Sequence, residues 1–144
     1  MAGAGANFVL DKGFLLLSTY NSSAAAGALS KRLVKFSGTA GAVDLNVASN
    51  TRSVGVLMEN VDATKIATGK AVADIRMLGI ATINCTTSAS VVLGSMVMSS
   101  TVGGVLLAAT TGNIPVGMVV GITGTIADGN DVQVLLIPGL PALP

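Results

Sequence analysis

Histidine and tryptophan are absent, cysteine occurs once, and aromatic residues make up 3% of the chain. Each shortage excludes something. Without histidine the chain lacks the commonest general base near neutral pH and the commonest metal ligand. A single cysteine, Cys85, permits no intrachain disulfide. Three Phe and one Tyr offer no platform on which bases could stack. Charge is scarce as well: 10% of residues, with a net charge of +1, against about 25% charged residues in ordinary soluble domains. A nucleic-acid binder would need a basic footprint that this balance does not supply. From Met77 to Ala127 no residue is charged. An enzyme, a cofactor and a metal site are therefore not expected.

What is present is a β texture. The uncharged stretch is rich in Val and Ile and is broken every few residues by Gly, Ser and Thr. That pattern reads as short strands joined by tight turns. Val102–Val120 is hydropathic enough to raise a transmembrane helix. Gly103-Gly104, Thr110-Thr111-Gly112-Asn113 and Pro115 punctuate it at strand spacing, so strands are expected and membrane insertion is not. With 144 residues, one domain is expected. Its 51% hydrophobic content leaves little polar material to cover a monomer, so a partner should hide some apolar surface.

Three segments are expected: an arm over 1–29, a β-domain over 30–139 and a short Pro-rich tail over 140–144. Small-residue stretches at Ala2–Ala6 and Ser22–Ala28 flank an apolar segment containing Phe8, Val9, Leu10, Phe14, Leu15, Leu16 and Leu17. The flanks cannot build a core, while the apolar segment wants burial. An N-terminal arm docking elsewhere satisfies both facts, and a first strand of the domain itself remains the alternative. The opening residues show no basic stretch followed by an apolar one, so no signal peptide is expected.

Within the domain, strands are predicted at Leu33–Ser37, Val43–Val47, Val54–Met58, Ala71–Thr86, Ser95–Ser99, Val105–Ala109, Val116–Thr123 and Asp131–Ile137. The polar stretch Asn60–Lys70 reads as a loop with one helical turn. In Val43–Val47 the odd residues should face inward and Asp44 and Asn46 outward. In Ala71–Thr86 the odd positions, from Ala71 to Cys85, are all apolar or Gly. They should line a buried face, with a bend at Gly79. Val116, Met118, Val120 and Ile122 should form one apolar face. Gly103-Gly104 marks a hairpin and Asp128-Gly129-Asn130-Asp131 a turn. About eight short strands make the fold class all-β, a small barrel or sandwich with an extended N-terminal arm.

Local motifs have plain readings. Thr68-Gly69-Lys70-Ala71 lacks both the first Gly and the hydroxyl residue of a phosphate loop. Cys85 falls on the buried parity, where a thiol behaves as a small hydrophobe. Asp62, Asp128 and Asp131 do not have the spacing of a calcium loop. Asp74 and Arg76 are expected to form a cross-strand or intersubunit ion pair. Lys31, Arg32 and Lys35 suggest a solvated or partner-facing strand edge.

One resemblance runs along most of the chain. Asn7-Phe8-Val9-Leu10-Asp11-Lys12-Gly13 with Tyr20-Asn21-Ser22 resembles the N-terminal arm of tailed-phage capsid decoration, or cement, proteins. Val54-Gly55-Val56, Gly69-Lys70, Ile75-Arg76-Met77-Leu78-Gly79, Leu93-Gly94-Ser95, Val116-Gly117-Met118 and Val132–Gly139 resemble their β-domain in order and spacing. The resemblance implies a structural virion protein on the outer surface of an icosahedral phage head. It implies a homo-oligomer, a trimer, that clamps major capsid protein subunits and performs no catalysis. Phe8, Val9, Leu10, Phe14, Leu15, Leu16 and Leu17 are then the candidate capsid contacts. Met96 and Met98, adaptable apolar residues in an uncharged stretch, are the candidate subunit interface. The alternative from another class is a membrane-associated or pore-forming β-protein using the uncharged half.

Overall fold

Leu33 and Val34 are adjacent in sequence and both fully buried. Neighbouring strand residues point to opposite faces, so their strand must be covered on both sides. The same holds for Val56 and Leu57. These pairs organise the molecule. The computed structural model describes residues 9–10, 15–16, 30–38, 40–68, 71–86, 91–108, 111–122 and 130–144.

The described residues form eleven strands and one short helix. In chain order these are β1 (Val9–Leu10), β2 (Leu15–Leu16), β3 (Arg32–Phe36), β4 (Ala42–Leu45), β5 (Gly55–Leu57), α1 (Ala63–Ala67), β6 (Ile75–Arg76), β7 (Gly79–Asn84), β8 (Met96–Ser99), β9 (Val105–Leu107), β10 (Gly117–Ile122) and β11 (Asp131–Leu136). Eight of the strands have three residues or more. The fold is all-β, as the alternation predicts.

The strands make two sheets. The first has the order β1-β6-β5-β3-β4-β2, the second β7-β11-β10-β8-β9. Pairing is antiparallel except between β2 and β4. On a flat first sheet, the outermost strands β1 and β2 would lie about 24 Å apart. The five residue-to-residue steps from Leu10 to Leu15 reach at most about 18 Å. The first sheet is therefore curled. The second curls too. Cys85, just past β7, bridges Val105 of β9, and Thr86 N–H donates to Val105 O at 3.0 Å. Its first and last strands thus meet at one end.

Two cores result. Leu33 and Val56 join Ala81, Ile83, Val97, Val105, Val119, Val132 and Val134 inside the second sheet's curl. Val34 and Leu57 point the other way, into a cluster with Val43, Leu45, Ile75 and Ile66 of α1. Each such Val, Leu or Ile contributes about 1.5–3 kcal/mol on burial. The helix is started by Asp62, whose Oδ1 accepts from Thr64 N at 2.8 Å and Lys65 N at 3.2 Å. β3 lies between β5 and β4. The basic residues Arg32 and Lys35 are therefore on an internal strand, not on an edge.

Three local readings need correction. The run Ala71–Thr86 keeps its predicted parity, with Ala71, Ala73, Ile75, Ala81, Ile83 and Cys85 buried. It is nevertheless not one strand: β6 belongs to the first sheet and β7 to the second. The break falls at Gly79, whose φ of +86° is open to glycine and costly for other residues. Asn46, expected outward, is fully buried. β4 has ended by then, and Asn46 Nδ2 donates to Thr51 O at 2.8 Å and Ser53 Oγ at 2.7 Å. In β10 the inward residue is Val119, while Val120 is exposed. The register runs Val119↔Val134 and then Gly121↔Gln133, so Val120 is an extra, bulged residue. It turns outward, and the parity behind it inverts.

Candidate functional site

Of the candidate arm residues, Val9, Leu10, Leu15 and Leu16 lie at the margins of the first sheet. The backbone of Val9–Leu10 pairs with β6 in the register Val9↔Arg76 and Leu10↔Ile75. Leu15–Leu16 pairs in parallel with β4, as Leu15↔Ala42 and Leu16↔Val43. Each pairing is two residues long. Phe8, Phe14 and Leu17 lie outside the described residues, as do Gly69, Lys70 and Asp128.

Met96 and Met98 both lie on the outer face of the second sheet. Their parity is opposite to that of Val97 and Ser99, which face its interior. Met96 is half-buried, whereas Met98 is 9% exposed. The cross-strand register extends Met96 into a row. Met96 opposes Met118, Met118 opposes Leu135, and Leu135 opposes Ile80. Directly opposed residues share a face at about 4.5–5.5 Å. Four apolar side chains therefore stand side by side across four strands, with Ile80 49% exposed. The next rows along the same face are polar: Thr82 opposes Gln133, and Asn84 opposes Asp131. One end of the face is apolar and the other is not.

A rigid turn adjoins the apolar end. Ser95 N–H donates to Val92 O at 3.0 Å, and Val92 N–H donates to Ser95 Oγ at 2.9 Å. Gly94 N–H reaches Val119 O at 2.8 Å, and Val119 N–H returns to Ser95 O at 2.9 Å. These four bonds hold Val92 and Leu93 in a fixed turn against β10. Leu93 is 63% exposed. The sequence carries a signal for this surface that alternation alone passes over. Leu78 and Ile80 are apolar on the exposed parity of Ala71–Thr86.

Lys31, Asp131, Arg76 and Arg52 serve the framework. Lys31 Nζ pairs with Asp131 Oδ2 at 2.5 Å, both partly exposed. Within the chain, Arg76 and Asp74 do not pair with each other; Arg76 Nη1 donates to Ile80 O at 2.8 Å, beside β7. Arg52 Nη1 donates to Leu140 O at 2.9 Å. Near it, Val54, Met77, Leu78, Pro138 and Gly139 line a recess of about 340 Å³. The tail is held by Leu143 N–H on Asn113 O at 2.8 Å and by Gly112 N–H on Leu143 O at 3.0 Å. Cys85 is buried. Among the described residues, no group of three or more acidic or sulfur ligands could hold a metal ion, and no helix is long and apolar enough to cross a membrane.

No protein-family model matches the chain, and no curated protein matches its sequence. Its fold does have a counterpart among solved structures. The crystal structure of the head fiber gp8.5 N base of bacteriophage phi29 superposes with a TM-score of 0.62. The match covers 90% of this chain and 95% of that one, at 14% sequence identity. The likeness is one of fold across nearly the whole chain.

Proposed function

We propose that this protein is a structural component of a phage virion, bound to the outside of the head, and that it carries no catalysis. The observation that carries the reading is the fold-wide likeness to a head fiber base. The decoration-protein motifs support it independently, because they come from the sequence and not from the backbone. In this reading, Phe8, Val9, Leu10, Phe14, Leu15, Leu16 and Leu17 contact the major capsid protein. Met96 and Met98 lie at or near the contact between copies, and the assembly is a homotrimer. Each copy buries a modest interface, and symmetric copies bound together raise the barrier to shell rupture by mass action and avidity.

The test is occupancy. Purified protein added to expanded heads that lack it should give density at fixed lattice positions on the outer surface by electron microscopy. Those heads should also rupture at a higher temperature than bare ones. Protein that remains in the supernatant would refute the reading. The same likeness favours a second reading, in which the domain is the base of a longer fiber. Density projecting well beyond the domain on native virions would select it.

A further inference from the structure

We propose that the apolar end of the second sheet's outer face docks on a second copy of this chain. The contact consists of Ile80, Leu135, Met118 and Met96, extended by Val120 and Leu93. The inference takes up the oligomeric part of the proposed function and does not need the head-binding part.

Three observations carry it. The first is geometric. The row is in register across four strands, and the bulge at Val120 and the four-bond turn at Leu93 raise two further apolar side chains beside it. The backbone beneath these side chains is held in strands and a stapled turn, so docking orders side-chain rotamers but no segment of backbone. Met98, on the same face, is covered already and stays outside the contact.

The second observation is charge. Ile80, Met96, Met118, Val120 and Leu93 all come from the stretch that holds no charged residue. Arg76 donates to the Ile80 carbonyl and so places one cation beside that end of the row. Asp131, at the far end of the face, is paired with Lys31. A foreign partner is usually selected by complementary charge, and among the described residues the side chains of the row itself carry none. A second copy requires none, because it presents the same apolar row.

The third is asymmetry. The row has two different ends, Ile80 on β7 and Met96 on β8. When one end meets the other end of the next copy, the contact is heterologous, and it closes into a ring where the rotation between copies divides a full turn. The polar rows at Thr82 and Asn84 then form its solvated rim.

The experiment begins with the unmodified chain. Sedimentation velocity across the micromolar range should show a species larger than one chain. Met118→Glu and Leu135→Glu, made singly, should each weaken self-association at least about 30-fold. Gln133→Lys, at the polar end of the same face, should change it by less than about threefold. Thermal melting reports whether the variants fold. If a Glu variant does not fold, Met118→Cys takes its place. Cys85 is buried, so a maleimide reads only the new thiol, which assembly should protect at least about tenfold. A chain that stays monomeric, Glu variants that assemble normally, or a thiol labelled equally fast in dilute and concentrated protein would overturn the inference. Protein that self-associates through this face yet leaves heads unoccupied would uphold it and refute the head-binding reading.

Discussion

Gly117 is the glycine where one added methyl group should do the most damage. It opens β10 on the inward parity, opposite Val97 on one side and Leu136 on the other. A Cβ built there would overlap the Leu135 carbonyl oxygen, with the Leu135 carbonyl carbon at 2.9 Å and Val134 Cγ1 at 3.0 Å. The obstacle is backbone in a ladder, so relief requires β10 and β11 to separate. Overpacking of this kind costs about 3 kcal/mol. For a chain of this length each kcal/mol is worth about 3–4 °C in Tm. Gly117→Ala should therefore lower Tm by about 10 °C. Two other glycines calibrate the argument. At Gly121 the added Cβ would meet the Gln133 side-chain amide, which can rotate away, so Gly121→Ala should cost under about 1 kcal/mol. Around Gly38 nothing lies within 4 Å. Gly38→Ala should be neutral or stabilise by up to about 1 kcal/mol, through the unfolded chain. Calorimetric melting of the three variants should rank them Gly38, Gly121, Gly117 from most to least stable. A Gly117→Ala protein that melts with the wild type would show that the two strands are not packed as closely as this.

Ile75→Asp should unfold or severely destabilise the domain, since Ile75 is fully buried and an unpaired buried charge costs several kcal/mol. Thr82→Lys, exposed on β7, should cost under about 1 kcal/mol, and chemical denaturation ranks the pair. Asn46→Ala should cost about 2–4 kcal/mol by the same assay, because it strands Thr51 O and Ser53 Oγ. Lys31 has a φ of 60°. Lys31→Gly loses a partly exposed ion pair and relieves that backbone, so its midpoint should stay within about 1 kcal/mol of wild type. Deleting 1–29 should leave a domain that melts cooperatively but occupies expanded heads poorly. Unfolding of the truncated chain would make Phe8–Leu17 part of the core, and full occupancy would remove the arm from the contact.

Element positions were legible wherever one face of a strand is wet. Residues 71–86 alternate because Thr82 and Asn84 border solvent while Ala81 and Ile83 do not, and the parity held through the bend. Legibility failed where the environment changes within a strand. The inserted Val120 inverts phase at a point that no composition marks. Asn46 looks like a surface residue by type, yet it is buried because a loop returns to satisfy it 5 and 7 residues later. The apolar row was harder still. Its members come from four strands, and only the register between those strands brings Ile80 beside Leu135 and Met118 beside Met96. Nothing local in the chain encodes that adjacency.

The two cores share walls, and this decides how the chain can come apart. A cut between Leu78 and Gly79 would divide it between the sheets, at a bend where cleavage looks harmless. Leu33 and Val56 would leave with the first fragment, although they pack inside the second sheet's curl. The first fragment would expose them, and the second would keep the hollow they had filled. Neither piece should hold a fixed structure alone. Mixed together, they should reconstitute, because each carries the plug or the socket that the other lacks. The intact protein should accordingly lose both cores in a single step, with no half-melted state in which one sheet survives its neighbour.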